Sequence, residues 1–227
     1  MKLAEPMHEM FSRSRLLVLD FNEITDDNER SIKGYFDECE RSGINPRLPE
    51  NRQRFNDQLL ARTGARYLIS RYAEDRIAML AGSEIAREGR TIHMGVDMFS
   101  TMLETIYAPC DGRIVETGLE DEPHGYGHYL IMQPDGIEDT YFFFGHLSRR
   151  LPAKRAVKLG DAIANLGDYV DNENGGWSRH LHFQVLKDLP EPGQTPQGYA
   201  TKANFSAMSK AFPDPMPYFP DWEIAVE

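Results

Sequence analysis

The apolar positions divide the chain into a helical front, a β-rich middle and an irregular end. Ile32, Tyr35, Phe36 and Cys39 recur at the i, i+3, i+4, i+7 spacing of one helix face. Asp26 followed by Glu29 resembles a capping pair ahead of that face, and Gly43 suits its end. Pro49 is placed to open a second helix, with Phe55, Leu59 and Leu60 inward and Gly64 as its stop. The earlier run from Leu16 to Phe21 fits either a strand or a buried helix.

From about residue 66 the period changes. Tyr67-Leu68-Ile69 and Ile77-Ala78-Met79-Leu80 flank the charged stretch Ala73-Glu74-Asp75-Arg76, which predicts a hairpin. Short β-like runs follow at 91–99, 113–117, 129–133, 140–144, 162–166 and 180–186, separated by Gly, Pro, Asn and Asp clusters. Strands at this spacing, without helical patterns between them, predict a mainly β, mostly antiparallel core. After Leu189 the chain turns proline-rich (190, 192, 196, then 213, 215, 217 and 220) and is expected to wrap over the surface. The expected organisation is an N-terminal helical extension over 1–65, a β domain over 66–189 and a tail over 190–227 packed on the core.

Composition narrows the function classes. The 227 residues suit one domain with an extension, and 41% hydrophobic residues suffice for a core. Acidic residues outnumber basic ones by 36 to 25, a net charge of −11. That balance argues against a nucleic-acid partner, which needs clustered Lys and Arg. No run approaches the ~18 apolar residues of a membrane span, and the start MKLAEPMHEMF lacks the apolar stretch of a secretory leader. Cys39 and Cys110 lie far apart without metal-type spacing and read as free thiols. A cytoplasmic protein with no membrane partner is expected.

Of seven histidines, six fall in the β-rich part: His93, His124, His128, His146, His180 and His182. A single histidine is usually structural, so only groups carry weight. His93-x-x-x-Asp97 reads either as a surface strand with a His–Asp hydrogen bond or as a pair of metal ligands. On a flat strand the two Cα atoms would stand ~13 Å apart, while ligand atoms sit only ~2 Å from a zinc ion. Shared coordination therefore requires a bend, and Gly95 lies between the two residues. His180-Leu181-His182 places two imidazoles on one face of a strand, with Leu181 and Phe183 on the other. One imidazole of such a pair can bind a metal while its neighbour faces substrate. His146 follows an aromatic strand and Gly145, as a turn histidine or a polar tip. His124 and His128 are a weaker candidate for a second metal site.

Taken in order, His93-x-x-x-Asp97, Gly145-His146-Leu147-Ser148 and His180-Leu181-His182-Phe183 resemble the lysostaphin/LytM-type zinc endopeptidases. Tyr107-Ala108-Pro109 with Asp111-Gly112-Arg113-Ile114-Val115, and Val157-Lys158-Leu159-Gly160-Asp161-Ala162-Ile163, look like that family's strand and turn motifs. The resemblance covers about residues 90–186. It implies a barrel-sandwich-like antiparallel core and a peptide-like substrate. It also implies Zn2+ held by His93, Asp97 and His182, with His146 and His180 as the catalytic pair beside it. Two neutral imidazoles and one carboxylate would leave the centre a net charge of +1, which acidifies bound water and polarises a carbonyl. One histidine would take the water proton and the other would serve the oxyanion or the leaving amine. The sequence leaves open which does which.

The loop from Asp168 to Arg179 departs from the family pattern, being long, acidic and tryptophan-bearing where Gly, Ser and Thr are usual. It puts a shared oligoglycine or peptidoglycan substrate in doubt. It also keeps open a second function, a catalytically silent zinc module that binds a ligand. Retention of all five polar positions favours the enzyme. The helices of residues 1–65 either pad the sheet, the favoured reading, or cover the cleft.

Overall fold

The computed structural model describes residues 16–18, 32–170 and 172–218. The predicted capping pair at Asp26 and Glu29 lies outside them. The front of the chain forms strand β1 (Leu16–Val18) and helices α1 (Ile32–Arg41) and α2 (Pro49–Thr63). Pro49 opens α2 and Gly64 closes it with φ of 66°, where its N–H donates to the Leu60 carbonyl. Leu59 and Leu60 pack with Cys39 against Leu68 and Phe99 of the sheet.

Strands β2 (Tyr67–Ile69), β4 (Val96–Phe99), β6 (Gly112–Glu120), β7 (Gly127–Pro134), β8 (Tyr141–Leu147), β9 (Ala156–Val157) and β11 (His180–Leu186) join β1 in one sheet. The order is β1-β2-β4-β11-β8-β7-β6-β9. Every pairing in it is antiparallel except the parallel β1–β2 contact. Strands β5 (Thr105–Tyr107) and β10 (Ala162–Asn165) pair separately, as do β3 (Ile92–His93) and β12 (Tyr199–Ala200). The run Phe142-Phe143-Phe144 shows why no alternation appears in β8. Phe142 and Phe144 enter the main core with Phe183, while Phe143 faces a second cluster with Tyr129 and Ile131. A strand covered on both faces is apolar throughout.

The expected hairpin over 67–80 does not form. Ile77–Leu80 is instead a short helical turn, α3, in which Asp75 Oδ1 accepts from the Ile77 N–H at 3.2 Å. The intervening charges are not a solvated tip: Glu74 and Arg76 are only 1% and 2% exposed. Segment 73–76 runs inward along β3 through the bonds Ala73 N to His93 O, His93 N to Glu74 O and Arg76 N to Thr91 O. A second short helix, α4 (Glu84–Arg87), follows.

The described part of the proline-rich end, up to Tyr218, packs on the core and also contributes structure that the prolines concealed. It supplies β12, helix α5 (Phe205–Ala211) and a 3-10 turn at Met216–Tyr218. Met216 and Tyr218 rest against the main core. Cys39 and Cys110 are free and buried. Among the described residues no helix is long and apolar enough to cross a membrane.

Candidate metal centre and cleft

Strand β11 organises the site. Its register sets His182 opposite Asp97 and His180 opposite Phe99 on β4, and His182 opposite Gly145 on β8. His180 and His182 therefore share one face, while Leu181 and Phe183 enter the core. The chain breaks between β3 and β4 at Met94-Gly95, and β3 turns aside to pair His93 with Tyr199. This is the bend that the His93–Asp97 spacing required. The reason for Gly95 differs from expectation. A Cβ there would lie 2.5 Å from Cε1 and 2.7 Å from Nε2 of His182. The glycine makes room for the imidazole.

Three donor atoms converge. His182 Nδ1 lies 3.0 Å from Asp97 Oδ1 and 3.1 Å from His93 Nε2, and His93 Nε2 lies 3.5 Å from Asp97 Oδ1. All three side chains are buried. Ligands ~2.0–2.1 Å from a tetrahedral zinc ion stand about 3.3 Å apart, so the triangle has the right edges. Among the described residues this is the one His/Cys/Asp/Glu group able to hold a metal. His124 and His128 do not form such a group; the His124 ring lies against Trp177, 5.2 Å between centroids.

Hydrogen bonds fix where the lone pairs point. Gln184 Nε2 donates to the Gln197 carbonyl at 3.2 Å, which turns the amide oxygen toward His182. His182 Nε2 then donates to Gln184 Oε1 at 3.0 Å, leaving Nδ1 unprotonated toward Asp97. Two acceptors 3.0 Å apart with no proton between them repel unless a cation joins them. His93 Nδ1 is buried without a hydrogen-bond partner among the described residues, so the polar neighbours of that ring lie on its Nε2 side. These observations fit a resident zinc ion.

The other two histidines stand beside the triangle. His180 Nδ1 donates to the Ser178 carbonyl at 2.7 Å, and His146 Nδ1 to the Asn174 carbonyl at 2.8 Å. Both therefore carry a free Nε2 lone pair. His180 Nε2 is 3.9 Å from Asp97 Oδ1, and the His146 and His180 rings are 4.2 Å apart. Phe99 stacks on His180 at 4.9 Å. His146 adopts φ of 61°, a conformation that costs a non-glycine residue ~1–3 kcal/mol. Its N–H on Tyr126 O and its carbonyl under Gly167 N hold it there.

Burial pushes His93, His146 and His180 below the ordinary imidazole value, His180 to about 4. Burial acts upward on Asp97, but Arg76 and the nearby histidines outweigh it and hold the carboxyl well below its usual range. Arg76 Nη1 donates to Asp97 Oδ2 at 2.6 Å.

The donors form the floor of a cleft of about 1010 Å³. Trp177, His124 and Tyr126 line one wall, while Phe36 and Arg52 bring the N-terminal helices to the cleft. Sequence reasoning missed Gln184, Arg76 and Tyr199. Gln184 was detectable, since it continues the alternation His180-x-His182-x-Gln184. Arg76 and Tyr199 reach the site only through tertiary structure.

Residues 91–195 match the family model for peptidase family M23, a stretch that contains all five of these histidine and aspartate positions. That segment belongs to the family. Its coarse class is thus a peptidase fold among the hydrolases. The chain is also similar to solved M23 structures. The lysostaphin catalytic domain from Staphylococcus simulans is 24% identical, with 56% of this chain and 79% of that one covered and a TM-score of 0.40. A zinc-containing peptidase from Vibrio cholerae is 24% identical, with 47% and 31% covered and a TM-score of 0.36. A shorter likeness links 94 residues at 32% identity to the glycine cleavage system H protein of Prochlorococcus marinus (strain NATL1A), covering 36% of this chain and 70% of that protein. The M23 match ends before Tyr199 and begins after Glu74 and Arg76.

Proposed function

We propose that this M23 chain is a zinc-dependent peptidase that cleaves an amide bond of a peptide substrate. His93 Nε2, Asp97 Oδ1 and His182 Nδ1 would hold the ion, and His146 and His180 would handle the proton. The observation that carries this reading is the convergence of three atoms able to ligate a metal beside two further imidazoles with free Nε2 lone pairs. Bound zinc supplies an acidified water and a polarised carbonyl.

The chain's own residues do the rest. His180 Nε2, nearest the donor triangle, accepts the water proton, while its Nδ1–H stays anchored on Ser178. Two rings 4.2 Å apart in a buried cleft disfavour double protonation. The pair therefore takes up at most one added proton at a time, which suits acceptance from water and delivery to the leaving amine. Tyr126, Trp177 and Phe99 shield these rings from solvent.

The test joins metal analysis to a peptide-library assay. The expected result is one tightly bound zinc per chain and cleavage that a chelator abolishes. His146→Ala and His180→Ala should keep the zinc and each lose ~10²–10⁴-fold in rate. Protein without zinc, or variants that cleave normally, would overturn the reading. Tight zinc without cleavage of any peptide would leave a binding module instead.

A further inference from the structure

We infer that Arg76 fixes Asp97 as a one-oxygen metal ligand and so keeps the fourth coordination position open. The inference rests on the zinc reading above. A carboxylate beside a metal can bind through one oxygen or both. If both Asp97 oxygens bound, they would fill the position that a catalytic site leaves to water. Here Oδ1 faces His93 and His182, whereas Oδ2 accepts from Arg76 Nη1 at 2.6 Å.

The guanidinium is itself held. Its Nε and Nη2 both donate to Glu74 Oε1, at 3.2 and 2.9 Å, and Nη1 lies 3.5 Å from the Tyr199 hydroxyl. The Arg76 and Glu74 side chains are 3% and 0% exposed. Backbone bonds along β3 tie segment 73–76 to the strand that carries His93, so the fork cannot slide relative to the site. Glu74, Arg76 and Tyr199 all lie outside residues 91–195. The flanks of the peptidase segment would thus set the geometry of its metal.

Arg76 is a positioning residue, and its test reads the metal. Cobalt(II) replacing zinc absorbs visible light strongly when four-coordinate and weakly when five- or six-coordinate. The wild type is expected to give the strong spectrum. The double variant Glu74→Gln/Arg76→Met removes both charges together and strands neither. It should give the weak spectrum, and its zinc affinity should fall by roughly 10–100-fold. Arg76→Lys, which keeps one donor for Oδ2, should recover part of both. If the double variant does not fold, Glu74→Gln alone is read, because it loosens the fork; a weakened cobalt spectrum supports the inference and an unchanged one overturns it. A folded double variant with unchanged spectrum and affinity makes Arg76 a structural ion pair only. A wild type that binds neither ion overturns the zinc reading and this one together. Failure of the variants alone overturns only this one.

Discussion

At His182 the choice of ring nitrogen is made by groups that lie behind it. The Gln197 carbonyl orients the Gln184 amide, Gln184 takes the Nε2–H, and Nδ1 is left facing Asp97. The ring is then boxed by its neighbours, with Tyr126 at 5.0 Å on one side and Gly95 closely packed on another. Gly95 is therefore the most sensitive small residue near the centre. A methyl group there would meet the His182 ring at 2.5 Å and the Phe183 carbonyl at 2.8 Å, and the latter is backbone that cannot swing away. Gly95→Ala should cost about 1–3 kcal/mol of stability by overpacking and should weaken zinc binding by displacing Nδ1. Calorimetric zinc titration of the folded variant checks this. Wild-type affinity and an unchanged melting temperature would mean that His182 has slack this packing does not suggest.

Between elements, one side chain of α2 ties the helix to the two strands that carry Asp97 and His182. Gln53 Nε2 donates to the Ser100 carbonyl at 3.0 Å, just after β4, and its Oε1 accepts from the Arg179 N–H at 2.7 Å, just before β11. Gln53 is 2% exposed, so water cannot readily replace it. Gln53→Leu keeps the volume but removes both of these bonds, along with one to Asp57 Oδ1 at 2.8 Å. It should destabilise the fold by about 1–3 kcal/mol and speed amide exchange at Arg179; an unchanged urea midpoint would contradict a fastening role for α2. This helix was legible from Pro49, Leu59, Leu60 and Gly64 because its signals are local. The core strands were legible for the same reason, as was the need for a bend between His93 and Asp97. Ile77–Leu80 was not, because four apolar residues suit a strand or a helical turn equally well. Glu74 and Arg76 looked like solvated turn charges, since only the folded chain brings Asp97 to Arg76. Gly95 was noticed for its backbone freedom, whereas its neighbour His182, 87 positions away in the sequence, is what requires it.

Across the whole molecule, the cleft confines several imidazoles in neutral form inside a protein of net charge −11. That acidity would be expected to favour protonated histidines, yet burial wins locally and depresses His93, His146 and His180. The consequence for stability has a definite sign. An unfolded histidine takes a proton near pH 6.5, while the folded ones resist until lower pH, about 4 for His180. Below pH 6.5 the unfolded chain therefore binds more protons, and acid favours it. The stability these groups contribute is fully present above about pH 6.5 and declines as pH falls toward their folded values, by up to about 1.4 kcal/mol per pH unit for each histidine. His128, which burial also lowers, adds to the same limb. Asp97 is held low and so loses its contribution only below its ordinary value of 3.8, outside this window. Denaturant midpoints of chelator-treated protein between pH 7.5 and 5 should fall with a slope of more than one proton. His146→Gln should flatten that slope by about one proton, because it removes one buried neutral ring and leaves the others. Zinc should raise the whole acid limb, since a metal bound at the histidine donors competes with protons for the same lone pairs. A midpoint that stays flat to pH 5 without metal would show that these histidines charge in place, and the tautomers assigned to His180 and His146 through Ser178 and Asn174 could not then hold.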